Sequence, residues 1–155
     1  MEIREASPDD LPHVARVCDA SGRARWTAEM LTPEEVRVVL VALSEGEIVG
    51  VAKTHFHGEP DGDAPAGHYL GGIVVAPDSR RRGVGGSLTR SRLEWIRARS
   101  PRAYYFTDEE NEASIRMHEV LGFRLVGRFS EIRGSRPNVP GSALLLFDLP
   151  LSDPR

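Results

Sequence analysis

Residues 74–87 read Val-Val-Ala-Pro-Asp-Ser-Arg-Arg-Arg-Gly-Val-Gly-Gly-Ser. An apolar, strand-like run ends at a proline, three arginines follow, and a glycine-rich segment then begins a helix. The first four N–H groups of a helix have no partner within it, and the helix dipole favours negative charge there. Glycine lets a ligand approach the backbone because it has no Cβ. The stretch predicts a strand-turn-helix unit that binds an anionic group such as a pyrophosphate.

The same glycines can instead serve only as a tight connection, with the arginines solvated. Two other nucleotide motifs are excluded directly. A P-loop needs Gly-Lys-Ser/Thr at its end, and no lysine follows these glycines. A dinucleotide fingerprint needs a third glycine three positions after the second, and that position is Leu88.

The composition predicts one domain over residues 1–150 with a short C-terminal tail at 151–155. Hydrophobic residues make up 40% of the 155 residues, charged residues make up 28%, and the net charge is −3. The negative net charge argues against general nucleic-acid binding. Cys18 is the single cysteine, which excludes an internal disulfide and a Cys-rich zinc site. No signal peptide or membrane span is evident, so we expect a cytoplasmic protein.

The pattern of apolar residues and turn signals predicts an α/β domain with a mixed sheet, in the order β-α-(α)-β-β-β-α-β-α-β-β. A cap at Thr32 would begin the short bracketed helix. The predicted strands begin at Ile3 and cover about 36–43, 48–56, 69–75, 103–107, 123–132 and 142–149. The first predicted helix has Ser7 as its N-cap and Pro8 at its first position, and it ends near residue 21. The other predicted helices run over 83–99 and 111–121.

A second motif occupies residues 111–123, which read Asn-Glu-Ala-Ser-Ile-Arg-Met-His-Glu-Val-Leu-Gly-Phe. Asn111, Ser114 and His118 are spaced i, i+3 and i+7, so they share one stripe of a helix. This polar stripe is either a cofactor-facing surface or a solvated face on which Asn111 is the N-cap. We expect burial on a different side of the helix for Met117, Val120 and Leu121.

Residues 75–85 resemble the signature of the GCN5-related N-acetyltransferases (GNAT family), Arg/Gln-x-x-Gly-x-Gly/Ala after a strand ending in Val-x-Pro. Arg80, Gly83 and Gly85 occupy the signature positions. The second motif is similar to the Asn-x-x-Ala/Ser-x-x-x-Tyr-x-x-x-Gly-Phe of the same family. The resemblance implies a mostly antiparallel sheet of about six to seven strands with flanking helices. It also implies acetyl-CoA as the cosubstrate.

Carried over by position, the resemblance implies that Ile73, Val74 and Val75 contact pantetheine. The second motif would contribute Asn111, Ser114 and His118 to the cofactor surface. The turn and the start of the helix would hold the pyrophosphate. The residues concerned are Arg80, Arg81, Arg82, Gly83, Val84, Gly85, Gly86 and Ser87.

His118 departs from the family pattern, which most often has tyrosine there as the general acid for the departing thiolate. The histidine is similar to the phosphinothricin-type branch, where a Ser-x-Arg-Met-His-Glu string occurs. An imidazole can donate a hydrogen bond or a proton to the thiolate. Alternatively, His118 only packs against CoA and the thiolate takes its proton from water.

Some relatives place a general base, a glutamate, on the strand before the turn, and residues 68–73 contain none. His68, Tyr69 and the acidic run Asp108–Glu110 are the remaining candidates, although that run also suits a solvated loop. His55 and His57 share a strand face, but no third ligand is evident, so we predict no metal.

The acceptor region of the family corresponds here to residues 22–35. Trp26 and Glu29 predict a cationic acceptor, with Tyr69 and Asp108 as further candidate contacts. The predicted activity is transfer of acetyl to the primary amine of a small cationic molecule. Acetylation of a protein N-terminus or lysine, or a non-catalytic CoA-binding module, are the alternatives. The terminal strands predict a possible homodimer.

Overall fold

The computed structural model describes residues 1–151, so nearly all of the predicted tail at 151–155 lies outside the described residues. The strands are β1 (Glu2–Glu5), β2 (Val39–Ser44), β3 (Glu47–His57), β4 (Gly67–Val75), β5 (Arg102–Asp108), β6 (Arg124–Phe129) and β7 (Leu144–Pro150). The helices are α1 (Leu11–Ala20), α2 (Val84–Arg97) and α3 (Glu112–Val120). Short 3₁₀ turns cover Pro8–Asp10, Glu29–Leu31 and Pro77–Ser79.

The seven strands are hydrogen bonded in the order β1-β2-β3-β4-β5-β7-β6. β1 with β2, β2 with β3, β5 with β7 and β6 with β7 are antiparallel pairs. The pair β4–β5 is parallel and short, joining His68 to Ala103 and Tyr69 to Tyr104. The predicted mixed, mostly antiparallel sheet with flanking helices is therefore confirmed.

The chain forms two compact units, and the first comprises Met1–His55 and Gly71–Trp95. It packs one group of apolar side chains around α1, among them Val14, Trp26 and Val74. A second group includes Leu40 on β2 with Val84 and Leu88 on α2. These two groups follow from the alternation of residues along β2, because successive side chains point to opposite faces of a strand.

The second unit comprises Phe56–Leu70 and the residues from Ile96 onward. Its apolar group contains Tyr69, Ile132 and Leu146. Since the chain divides in this way, the expectation of one domain over residues 1–150 stays a prediction.

Two local expectations were wrong. The segment beginning at Thr32 is not helical, and the short turn instead covers Glu29–Leu31, where the Thr32 hydroxyl donates to the Ala28 carbonyl oxygen. Val120 is 83% exposed rather than buried. Helix α3 ends at this residue, and Phe123 packs inward in its place after Gly122 turns the chain with φ of +105°.

Candidate active site

The glycine-rich turn between β4 and α2 has two residues with left-handed backbone, Arg81 (φ +65°) and Gly83 (φ +80°). A Cβ built on Gly83 would meet no atom within 4 Å, and one on Gly85 would meet only the Ile73 Cδ1 at 3.9 Å. The N–H groups of the first turn of α2 have no partners within the helix. The backbone at this helix start is thus open to a ligand on its glycine side, as the sequence predicts.

The three arginines of the turn are exposed, but they differ in their hydrogen bonds. Arg80 donates through Nε to the Val75 carbonyl oxygen at 3.2 Å. The hydroxyl of Ser21 donates to the same oxygen, also at 3.2 Å. Arg80 therefore stabilises the turn itself, and Arg81 and Arg82 are left to add charge for an anion.

The remaining predicted residues of this segment mainly build its structure. Val74 and Val84 are buried in apolar groups, and Ile73 packs half-buried beside Val84. The Ser87 N–H donates to the Gly83 carbonyl oxygen at 3.0 Å and so forms the first hydrogen bond of α2. A Cβ on Gly86 would meet the Arg90 guanidinium at 3.4 Å. Any contact of these side chains with pantetheine stays a prediction. The Val75 carbonyl oxygen already accepts two hydrogen bonds, from Ser21 and Arg80.

Asn111 is the N-cap of α3. Its Oδ1 accepts a hydrogen bond from the Ser114 N–H at 3.4 Å, and its Nδ2 donates to the Thr107 hydroxyl at 3.2 Å. Such a cap satisfies one of the free N–H groups at a helix start. The capping alternative is therefore confirmed for Asn111.

His118 is buried on α3 and lies against Tyr105 of β5. Its Nδ1 is 2.7 Å from the Ser114 carbonyl oxygen, which can only accept, so Nδ1 carries the proton. The Tyr105 hydroxyl is hydrogen bonded to the Ser114 hydroxyl. In the neutral ring Nε2 is then an acceptor, and only the imidazolium can donate a proton from it.

Trp26 is buried in the apolar group around α1, and the Lys53 ammonium lies 4.6 Å from the centre of its ring. This cation–π contact is supplied by the chain itself. The Trp26 ring thus already has a cationic partner, and its contact with a cationic acceptor stays a prediction. Glu29 is exposed, and its backbone carbonyl oxygen accepts a hydrogen bond from the Arg37 side chain.

The candidate bases of the second unit are already committed to other contacts. Tyr69 is 1% exposed and donates its hydroxyl proton to the Pro65 carbonyl oxygen at 2.6 Å, while burial raises its pKa. Both carboxylate oxygens of Asp108 accept hydrogen bonds from Asn138. Both side chains are thus already hydrogen bonded to neighbouring segments, and their contact with an acceptor stays a prediction.

The neighbouring candidates are also constrained. Glu109 forms a paired hydrogen bond with Arg128, which is the main reason that the pKa of Glu109 is lowered. Burial, and secondarily Arg99, lower the pKa of His68. No group of three His, Cys, Asp or Glu side chains suited to a metal ion occurs within residues 1–151.

Arg92 of α2 is the largest of the fully buried side chains within residues 1–151, at 1% exposure. One of its terminal nitrogens donates to the carbonyl oxygens of Lys53, at 3.0 Å, and Gly71, at 3.2 Å. A Cβ at Gly71 would lie 2.7 Å from the His55 ring, so only glycine fits there. The guanidinium thus joins β3 to β4 where their side chains leave no room for a larger residue.

Sequence reasoning missed Lys53, Arg92 and Tyr105. Lys53 is the single lysine of the chain, and Arg92 follows Leu88 by four residues on the apolar side of α2. Both facts are visible in the sequence, but the partners are not. Tyr105 carries no local signal beyond its place in a strand.

The comparisons with known proteins agree with this architecture. A family model described as the acetyltransferase (GNAT) family matches residues 2–123. The mycothiol acetyltransferase of Acidothermus cellulolyticus is 35% identical over 94 residues, which are 54% of this chain and 29% of that protein. The phosphinothricin N-acetyltransferase of Streptomyces coelicolor is 35% identical over 102 residues, 64% of this chain and 57% of that protein. The chain therefore spans less than a third of the first of these relatives.

A solved structure with the same fold is the ribosomal-protein-S18-alanine N-acetyltransferase of Escherichia coli. It has a TM-score of 0.74 at 19% identity and covers 99% of this chain and 96% of its own. No helix within residues 1–151 is long and apolar enough to cross a membrane. The family model matches far more than half of the sequence, and the chain belongs to the acetyltransferase (GNAT) family.

Proposed function

We propose that this chain is an acyltransferase that moves the acetyl group of acetyl-CoA to the primary amine of a small molecule. The observation that supports it best is the open helix start at Gly83 and Gly85, flanked by the exposed Arg81 and Arg82. Free N–H groups, the helix dipole and two guanidinium groups together suit a pyrophosphate. The family uses acetyl-CoA as its donor.

Acetyl-CoA supplies the activated thioester, and the chain supplies positioning and proton transfer. The acceptor nitrogen forms a bond to the acetyl carbon, the carbon–sulfur bond breaks, and the sulfur leaves as a thiolate. In this proposal His118 gives the thiolate a proton from Nε2 in its imidazolium form, while its Nδ1 stays bonded to the Ser114 carbonyl oxygen.

The small-molecule acceptor is favoured by the printed names of relatives, since a mycothiol acetyltransferase and a phosphinothricin N-acetyltransferase are each 35% identical over the matched residues. The cationic character that Trp26 predicts stays a prediction, because the ring already faces Lys53. Acetylation of a protein N-terminus or lysine remains the second candidate.

Two measurements test the proposal. Calorimetry with acetyl-CoA measures donor binding, and a thiol-release assay against a library of amines and peptides measures transfer. We expect binding together with turnover on at least one small primary amine. Turnover on peptides alone would favour the second candidate, and binding without any turnover would favour a non-catalytic CoA-binding module.

The proposal includes a cytoplasmic enzyme and possible homodimers through the terminal strands. Light scattering coupled to gel filtration measures the oligomeric state with and without acetyl-CoA. A monomer at all concentrations would contradict the dimer and leave the transfer activity unaffected.

A further inference from the structure

The single lysine of this sequence stands at an unusual place. The other nineteen basic side chains are arginine. Lys53 is 9% exposed, and its ammonium faces the ring of Trp26. Arginine keeps its proton in proteins, whereas a buried lysine can lose one. A position that needs a removable proton is one that arginine cannot serve.

Gly72 lies beside both Lys53 and Trp26, and its backbone is exposed. A Cβ on Gly72 would meet the Trp26 Cζ2 at 3.3 Å and the Lys53 Cε at 3.7 Å. Gly72 is exposed, although Val74, two residues along the same strand, is buried. The exposed backbone of Gly72 thus lies against the indole ring and the end of the lysine side chain, and a methyl group would fit there only if the indole shifted.

Burial and a like charge disfavour the ammonium form of Lys53, whereas the Trp26 ring favours that form. Burial first, and the charge of Arg37 second, lower the pKa of the Lys53 ammonium. Arg37 is paired with the half-exposed Glu34 at 3.3 Å. Arg92 binds the Lys53 carbonyl oxygen from α2, and His55 lies two residues further along β3. No carboxylate within residues 1–151 forms an ion pair with Lys53 at 4 Å or less.

We propose that the neutral amine of Lys53, beside the exposed backbone of Gly72, is the general base that removes a proton from the ammonium form of the acceptor. The proton passes from the acceptor nitrogen to the Lys53 Nζ lone pair, which leaves the acceptor neutral and nucleophilic. Lys53 becomes an ammonium ion and then releases the proton to water. Trp26 holds the Lys53 side chain in place through its ring.

This inference rests on the proposed function, but its first test does not need activity. Because Lys53 is the single lysine, protein labelled with ¹³Cε-lysine gives one side-chain resonance that can be titrated directly. We expect a titration midpoint below the ordinary lysine value of about 10.4. Arg37→Gln should move the midpoint upward, since it removes a like charge. The control Arg25→Gln, at an exposed pair with Asp19, should leave it in place.

The second test compares two acceptors that differ in their need for a base. One is an alkylamine that the wild-type enzyme acetylates, and the other is its aminooxy analogue, which is already neutral at pH 7. Lys53→Arg and Lys53→Met should each lower kcat/KM for the alkylamine about 100-fold. The aminooxy analogue should lose no more than about threefold, because its nitrogen carries no proton to remove.

Three results would overturn the inference. They are a midpoint at or above the ordinary lysine value, retained alkylamine activity in Lys53→Arg, or equal losses with both acceptors. Retained activity in Lys53→Arg would assign Lys53 a charge role such as holding an anionic acceptor. A wild-type protein that transfers acetyl to no amine would instead contradict the proposed function.

Discussion

The ring of Tyr105 stacks on the imidazole of His118, with ring centres 3.5 Å apart and planes inclined by 5°. The Tyr105 hydroxyl reaches the Ser114 hydroxyl, and the His118 Nδ1–H reaches the Ser114 carbonyl oxygen. Strand β5 and helix α3 therefore fix both the plane and the tautomer of the imidazole. The family's usual tyrosine position holds a histidine here, and a tyrosine from the adjacent strand supports it.

His118→Phe tests the proton-donor role. Phenylalanine can keep the stack on Tyr105 but cannot carry a proton, so we expect kcat to fall about tenfold or more. The KM for acetyl-CoA should change little. Steady-state kinetics with a fixed amine measure both. Unchanged kcat would mean that the thiolate takes its proton from water and that His118 only packs.

Tyr105→Phe removes the hydroxyl that is hydrogen bonded to the Ser114 hydroxyl. We expect the free energy of unfolding to fall by about 1 kcal/mol, the usual net value of one hydrogen bond. Urea unfolding followed by circular dichroism measures it. Tyr104→Phe is the matched control, because the half-exposed neighbouring tyrosine packs beside Tyr69 and should lose less. Equal losses in the two variants would show that the Ser114 hydrogen bond is not stabilising.

Gly85→Ala should change stability and ligand affinity in opposite directions. The added methyl meets only Ile73, and alanine favours helix more than glycine, so unfolding should cost about 0.5 kcal/mol more. The same methyl occupies the open backbone surface and should weaken acetyl-CoA binding about tenfold, or about 1.4 kcal/mol. Calorimetry and urea unfolding measure the two effects.

The control for this change is Gly58→Ala, at another glycine without positive φ whose Cβ would meet a single side chain at 3.8 Å. We expect that variant to bind acetyl-CoA as the wild type does. Undiminished affinity in Gly85→Ala would remove the turn from the donor site.

Features that depend on neighbouring residues were predictable from the sequence. Runs rich in β-branched residues on either side of a turn at Gly46 located β2 and β3. The proline, arginines and glycines of residues 77–86 located the start of α2 within a residue. Asn111 as N-cap is equally local. Each is governed by backbone geometry over a few positions.

Features that join distant residues were not predictable. Nothing near Trp26 in the sequence indicates that Lys53, 27 positions later, supplies the cation for its ring. The Asp108–Asn138 contact likewise joins residues 30 positions apart, and it gives the Asp108 carboxylate a structural partner that its own neighbours in the sequence do not indicate. Such pairings are set by strand order, which local propensity does not encode.

Arg92→Met should destabilise the first unit. It would leave the buried carbonyl oxygens of Lys53 and Gly71 without their shared donor, and each such loss costs about 1–3 kcal/mol. We expect a loss of about 3 kcal/mol in urea unfolding. Arg90→Met, on the exposed side of the same helix, is the control and should cost little. Similar values for the two variants would show that water replaces the guanidinium.

Asp10 gives the protein a defined sensitivity to acid. Its carboxylate accepts two hydrogen bonds of 2.9 Å from Arg4 and one of 2.9 Å from the Ser7 N–H. The Arg4 hydrogen bonds first, and that of Ser7 after them, lower the pKa of Asp10 despite its burial. The unfolded carboxyl group therefore takes up its proton at a higher pH than the folded one. The stabilisation is complete above the unfolded pKa of about 3.9 and is lost as the pH falls through the folded pKa.

Asp10→Asn should lower the free energy of unfolding by about 1 kcal/mol at pH 7, as expected for a weakened helix cap and ion pair. The difference between the variant and the wild type should shrink as the pH falls through the folded pKa of Asp10, because the wild-type carboxyl group then becomes protonated as well. Urea unfolding at a series of pH values measures this difference. Asp63→Asn, at an exposed loop position, should leave the profile unchanged. A constant gap between Asp10→Asn and the wild type down to pH 2 would contradict the linkage, since only the ionised carboxylate accepts all three hydrogen bonds.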